Sequence, residues 1–387
     1  MKVLWLSSWY PSPTQPYDGD FIQRHAKSVA AYAQVTIFYV AQMGAGVNVK
    51  QEYVMERNND GVHERIIFFQ FRKTGFMWLD KLIYNFRYYQ TYRKAIRQYI
   101  SSDGKPDLVH VHIPMKAGVI GRWIRRQWGI PYIISEQSSL YAQSVPGNYF
   151  TKSYRHRNTV KKIFQDAAAV TNVSAAVGKT LKQLFDLPDV RVIHNTVNAE
   201  YFNYYGNRPS RFRFIHVSTL SHQKNAEGML RAFSRLAGER KDFELVLVGP
   251  FTKTQKELVE NTILQSVVTF TGEINYQAVA EQMKMASVLV LFSRHENFPC
   301  VIVEALCCGL PCIATRVGGV EEAVNDSNGI LIPSENEDEL LSALKEMMDK
   351  YDFYDGEAIA ALATVKYSYP NIGKHFFELY KQILKEN

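Results

Sequence analysis

Hydrophobic and polar positions follow two alternating patterns along this chain. Short apolar runs typical of buried strands recur in the first half, at residues 3–6, 35–40, 66–71, 108–113, 131–135, 169–173 and 190–194. Stretches with apolar residues at helical spacing lie between several of these runs, at residues 21–33, 115–128 and 175–185. The first half therefore predicts strands that alternate with helices.

The second half repeats this alternation. Its strand-like runs are residues 212–218, 243–248, 267–271, 288–292, 311–315 and 330–332. Its helix-like stretches are residues 225–236, 277–285, 301–308 and 338–348. Because alternating strands and helices form parallel sheets with helices on both faces, the two halves predict an α/β protein of two doubly wound domains.

The boundary between these domains is predicted within residues 201–211, a stretch with a Gly, a Pro and no periodicity. We place the first domain over residues 1–203 and the second over residues 204–369. Ligands of open parallel sheets bind beyond the carboxyl ends of the strands. Loops that follow strands are therefore the places to look for a site.

The composition is that of an ordinary globular protein. The 387 residues are 46% hydrophobic and 21% charged, and this length suits two domains. The apolar run at residues 1–6 is too short for a secretory signal, and no later run reaches a membrane-spanning length, so we expect a cytoplasmic protein. The four cysteines lie between Cys300 and Cys312 at spacings that match no common zinc motif, and we interpret them as buried thiols.

Charge is distributed unevenly between the halves. Residues 1–191 contain 26 basic and 13 acidic side chains, whereas the remainder contains 19 basic and 25 acidic side chains. Because the two halves have net charges of opposite sign, they suggest different partners. The basic half suits anionic lipid, nucleic acid or an anionic substrate.

Two nucleotide-binding motifs are missing from the sequence. The Gly-x-Gly-x-x-Gly fingerprint does not follow the first strand of either half, and Gly44-Ala45-Gly46 lacks the third glycine. The chain also has no Walker phosphate loop. These absences disfavour a hydride-transfer enzyme, an ATPase and a kinase.

The clearest candidate chemistry follows the predicted strand at residues 288–292. Pro299 suits the first turn of a helix, which places Glu296 on the preceding loop and Glu304 inside the helix. Free N–H groups at the start of such a helix attract anions, and carboxylates accept hydrogen bonds from sugar hydroxyls. The pattern suits a ligand with a sugar and phosphates, but two solvated glutamates on a plain strand-loop-helix would show the same spacing.

The run from Glu296 to Glu304 resembles the Glu-x7-Glu signature of retaining glycosyltransferases of family 4. The matching residues around it are Ser293, Asn297, Phe298, Pro299, Ala305, Gly309 and Pro311, followed by Gly318-Gly319-Val320-Glu321-Glu322. The likeness extends over residues 2–385. It implies the GT-B fold, in which two Rossmann-like doubly wound sheets face a central cleft and a C-terminal helix, here about residues 370–387, packs back on the first domain.

The resemblance implies a role for each part of this signature. Glu296 would contact the hydroxyls of the donor sugar and take part in catalysis, and Glu304 would hold the ribose. The backbone of Asn297, Phe298 and Pro299 would contact sugar or phosphate.

A second loop resembles the family's Gly-Arg-Leu-x-x-x-Lys-Gly motif. Lys224 matches the catalytic lysine that neutralises the diphosphate leaving group, on which charge builds as the glycosidic bond breaks. Thr219 stands where the family has Arg, and Ser218 stands where it has Gly. With one cation missing, neutralisation of the phosphates would need another group, such as Arg294 or a helix N-terminus.

The first half contributes further candidates. Gly19 matches a glycine that approaches the diphosphate, and the alternative is a plain turn in a Pro-rich loop. Alternation puts His110 and His112 on one face of a strand, and His112 best matches the family's catalytic histidine near the reacting sugar, although such a histidine can also be structural. Gln137 stands where relatives often carry His, which argues against a second imidazole in the site. We interpret the turn at residues 193–198 as structural.

The implied reaction moves a sugar from a nucleoside-diphosphate sugar to an acceptor hydroxyl with retention. We expect no cofactor and no metal, because Lys224 and helix dipoles can neutralise the leaving group. The expected partners are a nucleotide-sugar donor and a glycan or lipid-linked acceptor of surface polysaccharide or glycolipid synthesis, with no nucleic acid. A sugar-nucleotide epimerase and a non-catalytic nucleotide-sugar-binding protein remain alternatives, whereas a glycosidase is disfavoured because its two carboxyls must flank one bond.

Residues 76–100 are rich in aromatic residues, Leu and Arg. Apolar residues recur at helical spacing at Leu79, Leu82, Ile83, Phe86 and Tyr89. A basic surface could be formed off that stripe by Arg87, Arg93, Lys94 and Arg97 together with Lys152, Arg155, Arg157, Lys161 and Lys162. The pattern fits either a core helix with a solvated face or a surface that docks on the anionic inner face of the cell membrane.

Overall fold

The computed structural model describes residues 1–42, 53–71, 73–143, 145–206 and 209–386, and Gly44-Ala45-Gly46 lies outside these ranges. The chain folds as two compact units. The first unit comprises Met1–Val173, Gly178–Ile193 and Tyr369–Asn387, and the second comprises Ser174–Val177 and His194–Ser368.

The first unit is built on a sheet of eight strands within the described residues, in the order β3-β4-β2-β1-β5-β6-β7-β8. Neighbouring strands are parallel, except for the antiparallel pair β3 and β4. The strands are β1 (Lys2–Ser7), β2 (Gln34–Gln42), β3 (Tyr53–Asn59), β4 (Val62–Phe69), β5 (Leu108–His112), β6 (Tyr132–Glu136), β7 (Ala169–Asn172) and β8 (Arg191–Val192). The helices that accompany them are α1 (Asp20–Ala30), α2 (Met77–Asp103), α3 (Pro114–Trp128), α4 (Tyr154–Gln165) and α5 (Ala175–Phe185).

The second unit has a parallel sheet of six strands in its described part, in the order β11-β10-β9-β12-β13-β14. The strands are β9 (Phe212–Val217), β10 (Phe243–Val248), β11 (Val268–Gly272), β12 (Val288–Leu291), β13 (Cys312–Thr315) and β14 (Gly329–Ile332). The helices are α6 (Ala226–Glu239), α7 (Lys253–Glu260), α8 (Tyr276–Lys284), α9 (Cys300–Cys307), α10 (Glu337–Asp349) and α11 (Gly356–Tyr367). Two largely parallel sheets with interleaved helices confirm the predicted fold class.

The last helix, α12 (Tyr369–Glu386), packs against α1 in the first unit. The two backbones approach closely, since a Cβ on Gly373 would lie 1.9 Å from the carbonyl oxygen of Ser28. Its buried face joins the core that contains Trp5, through Ile372, Phe376, Leu379, Tyr380 and Ile383. No helix among the described residues has both the length and the apolar character that a membrane span requires.

The chain passes from the first unit to the second after Ile193, whereas the predicted boundary follows residue 203. Residues 194–203 pack with the second unit, in which Val197 forms a β-bridge with Ser368 and its N–H donates to the carbonyl of Tyr367 at 2.9 Å. Phe202 is buried and contacts the ring of Tyr276 at 4.8 Å. A stretch with no periodicity is therefore held by long-range contacts that its own sequence does not show.

Candidate functional site

The loop between β12 and α9 carries the signature that the sequence singled out. Ser293, Glu296 and Pro299 are buried there. Pro299 is the N-cap of α9, one position before the predicted first turn, and its side chain makes no cap hydrogen bond. The partial positive charge at the start of a helix favours an anion at this position.

Glu296 is held by two side chains that meet the same oxygen. The Nζ of Lys224 lies 2.5 Å from Oε1 of Glu296, and the Oγ of Ser293 donates to that oxygen at 2.7 Å. Its other oxygen, Oε2, has no hydrogen-bond partner in the described part of the chain. The carboxylate therefore keeps one acceptor oxygen for a further donor such as a hydroxyl.

Lys224 reaches Glu296 because two loops at the same sheet edge are joined through their backbones. The loops follow the parallel neighbours β9 and β12. The N–H of Arg294 donates to the carbonyl of Gln223 at 2.8 Å, and the Nε2 of Gln223 donates to the carbonyl of His295 at 2.8 Å. These bonds fix the lysine beside the carboxylate although 72 positions separate them in sequence.

The Gly318-Gly319 pair supports this loop from the other side. Gly318 has a φ of +57°, and a Cβ on it would lie 1.8 Å from the carbonyl oxygen of Glu296. The N–H of Gly319 donates to the carbonyl of Asn297 at 2.8 Å. Only residues without a side chain allow the backbone to approach this closely, which explains the two glycines.

The side chain of Phe298 has a structural role, beside the predicted contact of its backbone with the donor. Its buried ring stacks on His194 at a centroid distance of 4.5 Å, and its carbonyl accepts a hydrogen bond from the Nδ2 of Asn195 at 2.6 Å. Its side chain is therefore committed to packing, and only its backbone can meet a ligand. Through His194 and Asn195, the turn that the sequence marked as structural holds the signature loop in place.

Ser218 is also committed to its own chain. Its Oγ accepts the N–H of Leu220 at 2.9 Å and lies 2.7 Å from the Nε2 of His216, whose Nδ1 lies 2.8 Å from the carbonyl of Val290. Burial lowers the pKa of His216 to about 4, so the ring is neutral at pH 7, with its proton on Nδ1. Ser218 then donates to Nε2, which leaves no hydroxyl proton for a donor ligand. Thr219 beside it is exposed.

Arg294 does not supply the missing cation as an unmatched charge. Its Nε lies 2.8 Å from a carboxylate oxygen of Glu335, and its Nη1 donates to the carbonyl of His222 at 2.5 Å. Its role as a replacement for the family's arginine stays a prediction, as does that of a helix N-terminus.

Glu304 lies inside α9 and is buried. The three cysteines that follow it, Cys307, Cys308 and Cys312, are buried as well. Cys300 at the start of the helix is half-buried, and all four cysteines are free thiols. Burial raises the pKa of Cys307 to about 12, so this thiol stays protonated at neutral pH. The packing accounts for the cysteines as core residues.

A separate group of histidines lies at the carboxyl end of β5 in the first unit. The rings of His110 and His112 lie 4.1 Å apart, and His112 stacks on Trp5 at 4.1 Å. Both nitrogens of the His112 ring are buried and have no hydrogen-bond partner among the described residues, and burial lowers the pKa of this histidine well below the usual range. A neutral imidazole with two unused nitrogens suits a polar ligand group at this end of the strand.

The backbone directly after His112 adopts uncommon conformations. Ile113 has a φ of +59°, and Lys116 has a φ of +66° with a ψ of −64°. Such angles cost about 1–3 kcal/mol each in residues with a side chain and concentrate at functional sites. The strain therefore supports His112 as a functional residue.

His110 orients this group through buried hydrogen bonds. Its Nδ1 lies 2.7 Å from the hydroxyl of Tyr380 on α12, and its Nε2 lies 2.7 Å from the Oγ of Ser135 on β6. Ser135 in turn lies 2.6 Å from the Oγ1 of Thr171 on β7. Because both of its nitrogens are used, we interpret His110 as a positioning residue for the His112 ring, which lies beside it at an interplanar angle of 39°.

A histidine from another element lies beside Gln137, the residue that the sequence took as evidence against a second imidazole in the site. The Nδ1 of His25 on α1 lies 3.1 Å from the Nε2 of Gln137, and His25 is fully buried. Sequence reasoning missed this histidine because it lies on another element. A titratable residue on the apolar face of α1, beside Ile22, Ala26 and Val29, is the signal that could have found it.

Gly19 has a reason within its own chain to be glycine. It begins α1 with a φ of +69°, and a Cβ on it would lie 2.7 Å from the backbone of Trp9. The turn interpretation therefore explains the residue type without a ligand, and only its backbone is left as a donor-binding group.

Two family profiles match this chain. Residues 198–356 match "Glycosyl transferases group 1", and residues 33–201 match "Glycosyltransferase Family 4". An uncharacterized glycosyltransferase of Methanocaldococcus jannaschii is 30% identical over 267 residues, which cover 66% of this chain and 69% of the relative.

Solved structures share the fold. Sucrose-phosphate synthase from Thermosynechococcus elongatus superposes with a TM-score of 0.78 at 19% identity, over 100% of both chains. HepE from Anabaena in complex with UDP superposes with a TM-score of 0.71 at 19% identity, over 99% of this chain and 100% of the other.

Proposed function

The chain belongs to the glycosyl transferases group 1 of glycosyltransferase family 4, and from that premise we propose that it transfers a sugar from a nucleoside-diphosphate sugar to an acceptor hydroxyl with retention. The observation that carries the proposal is the contact of Lys224 with Glu296 at 2.5 Å, on the loop that precedes α9. A carboxylate, an ammonium group and the positive end of a helix dipole suit a ligand that joins a sugar to phosphates.

In this proposal Glu296 accepts hydrogen bonds from the donor sugar through its unpartnered Oε2. Lys224 and the start of α9 stabilise the charge that develops on the diphosphate as the bond to the anomeric carbon breaks. The acceptor oxygen forms the new bond on the same face, and its proton passes to the departing phosphate. Glu304 holds the ribose, and His112 contributes its neutral imidazole near the reacting sugar.

The choice of donor and acceptor class is part of the same proposal. The complexes of HepE with UDP, with UDP and glucose, and with UDP-glucose support a nucleotide-sugar donor. Among the sequence relatives are a putative teichuronic acid biosynthesis glycosyltransferase from Bacillus subtilis and D-inositol 3-phosphate glycosyltransferases. The first of these relatives supports our proposal of an acceptor hydroxyl in surface polysaccharide or glycolipid synthesis.

Product analysis separates this proposal from the two alternatives. The protein is incubated with UDP-, GDP- and ADP-sugars, with and without a panel of glycan and lipid-linked acceptors, and products are identified by mass spectrometry and NMR. We expect a nucleoside diphosphate and a glycosylated acceptor in the α-configuration from an α-linked donor. An epimerised sugar without any acceptor, binding without turnover, or an inverted product would contradict the proposal.

A further inference from the structure

The N-terminal half of α2 exposes an unusual group of large apolar side chains. Trp78, Leu82 and Phe86 follow one another at four-residue spacing and are 67%, 59% and 67% exposed. Phe76 and Met77 extend the group at the start of the helix, with 64% and 88% exposed. A contiguous patch of this kind marks an interaction surface in a globular protein.

The opposite side of the same helix packs against the sheet of the first unit. The ring of Tyr84 contacts Phe69 at 5.3 Å, and that of Tyr88 contacts Phe69 at 6.4 Å. Tyr92, one turn farther along, is buried as well. The apolar stripe that the sequence predicted is therefore not a buried stripe: Leu82 and Phe86 are exposed, and Leu79, Ile83 and Tyr89 are half-buried. The buried Tyr88 lies outside that stripe.

Farther along α2 the exposed face changes from apolar to basic. Arg93 and Arg97 lie over the ring of Trp123 on α3 at 5.4 Å and 5.5 Å. The C-terminal half of the helix is thus anchored by its neighbour, and the apolar group lies at the end remote from this anchor.

Exposed basic side chains accompany the apolar group on α2. Lys73, Lys81 and Arg87 lie on or next to this helix, and Lys161 and Lys162 are exposed on α4. The start of α4 lies close by, because the charges of Lys152 and Lys81 add to burial in lowering the pKa of His156. Tyr154, 75% exposed at the same helix start, adds an aromatic side chain to this side of the unit.

We propose that this surface, formed by Phe76, Met77, Trp78, Leu82 and Phe86 with the flanking basic residues, docks on an anionic lipid bilayer. Aromatic and aliphatic side chains enter the headgroup and acyl boundary, while Lys and Arg contact lipid phosphates. Charge complementarity favours this partner, since the bordering side chains are cationic and the first 191 residues carry 26 basic against 13 acidic groups. Membrane docking is a property beyond the donor chemistry proposed above.

The test is co-sedimentation of the full chain with vesicles of phosphatidylcholine alone or mixed with phosphatidylglycerol, at low and high salt. We expect binding to the anionic vesicles that weakens with salt. The double variant Trp78→Ser/Phe86→Ser should weaken that binding by about tenfold or more, since it removes the inserted apolar area. The matched control Leu362→Ser/Val365→Ser removes side chains that are 72% and 75% exposed in the second unit and should bind like the wild type.

Two charge-reversal variants give an independent readout. Lys81→Glu should weaken binding to anionic vesicles, whereas Lys253→Glu, at an exposed position of α7 in the second unit, should leave this binding unchanged. Wild-type protein that ignores anionic vesicles at low salt would overturn the proposal. So would equal losses in the test and control variants, or self-association in analytical ultracentrifugation that Trp78→Ser/Phe86→Ser abolishes without any binding to vesicles.

Discussion

Gly318 is the residue at which the Glu296 loop tolerates least change. Its φ is +57°, and a Cβ at this position would lie only 1.8 Å from the carbonyl oxygen of Glu296, which leaves no room for a side chain. We expect Gly318→Ala to destabilise the protein by about 2 kcal/mol or more, because both the left-handed backbone and the clash with another backbone oppose it. Urea unfolding measures this difference.

Gly238 provides the matched control for that substitution. It lies in α6 with no neighbouring atom within 4 Å of a Cβ position. Gly238→Ala should leave stability unchanged or raise it by up to about 1 kcal/mol, as helix propensity predicts. Similar effects of the two alanines on the free energy of unfolding would show that the loop does not need its glycine.

His216 makes stability depend on pH in the acid range. Its pKa is about 4 in the folded protein against an ordinary value of 6.5, so between these values the unfolded chain binds a proton that the folded chain does not. The free energy of unfolding should therefore fall as pH drops through this window, by about 3 kcal/mol from this residue. Urea unfolding of the wild type and of His216→Gln at several pH values measures the contribution, and parallel curves would refute it.

At the scale of elements, the crossing of α1 and α12 depends on a glycine. A Cβ on Gly373 would lie 1.9 Å from the carbonyl oxygen of Ser28 and 3.0 Å from the ring of Tyr32. Gly373→Ala should force the helices apart and lower the melting temperature, with a loss of about 2 kcal/mol or more. Lys374→Ala, at an exposed neighbouring position, should change stability by less than about 0.5 kcal/mol, and a larger effect there than at Gly373 would contradict the close crossing.

Helices and strands were predictable where burial gives the sequence a recognisable hydrophobic pattern. The parallel strands buried on both faces appear as apolar runs, and their predicted positions agree with β1, β5 and β10 to within about two residues. The strand β3 was not predicted, because its residues are mostly exposed and polar. Helical spacing predicted α2 but could not show which part of its apolar stripe faces solvent.

Helices α4, α7 and α11 were not predicted either, and the reasons differ between α7 and α11. The short α7 is polar and is stabilised at its start by a capping box between Thr252 and Gln255. In α11 apolar residues lie on all sides, so no single stripe marks the helix. Local hydrophobic period is a weak guide when a helix is short or lacks one clear apolar face.

At the scale of the whole molecule, the sequence predicted both fold class and signature but not the contacts between distant residues. That Lys224 pairs with Glu296 follows from the adjacency of β9 and β12, and that His25 meets Gln137 follows from how α1 packs on its sheet. Spacing within one segment contains no such information. For the same reason, only the structure shows that Arg294 forms an ion pair with Glu335.

We propose that Glu296 and Glu304 bind one nucleotide-sugar donor. The decisive experiment is isothermal titration of the full chain with the donor that gives turnover, with Glu296→Gln, Glu304→Gln and, as a control, Glu257→Gln at an exposed position of α7. We expect each of the first two substitutions to weaken donor binding by about tenfold or more, as loss of a buried charged acceptor implies, while Glu257→Gln binds like the wild type. Unchanged donor affinity in both Glu296→Gln and Glu304→Gln would contradict the account.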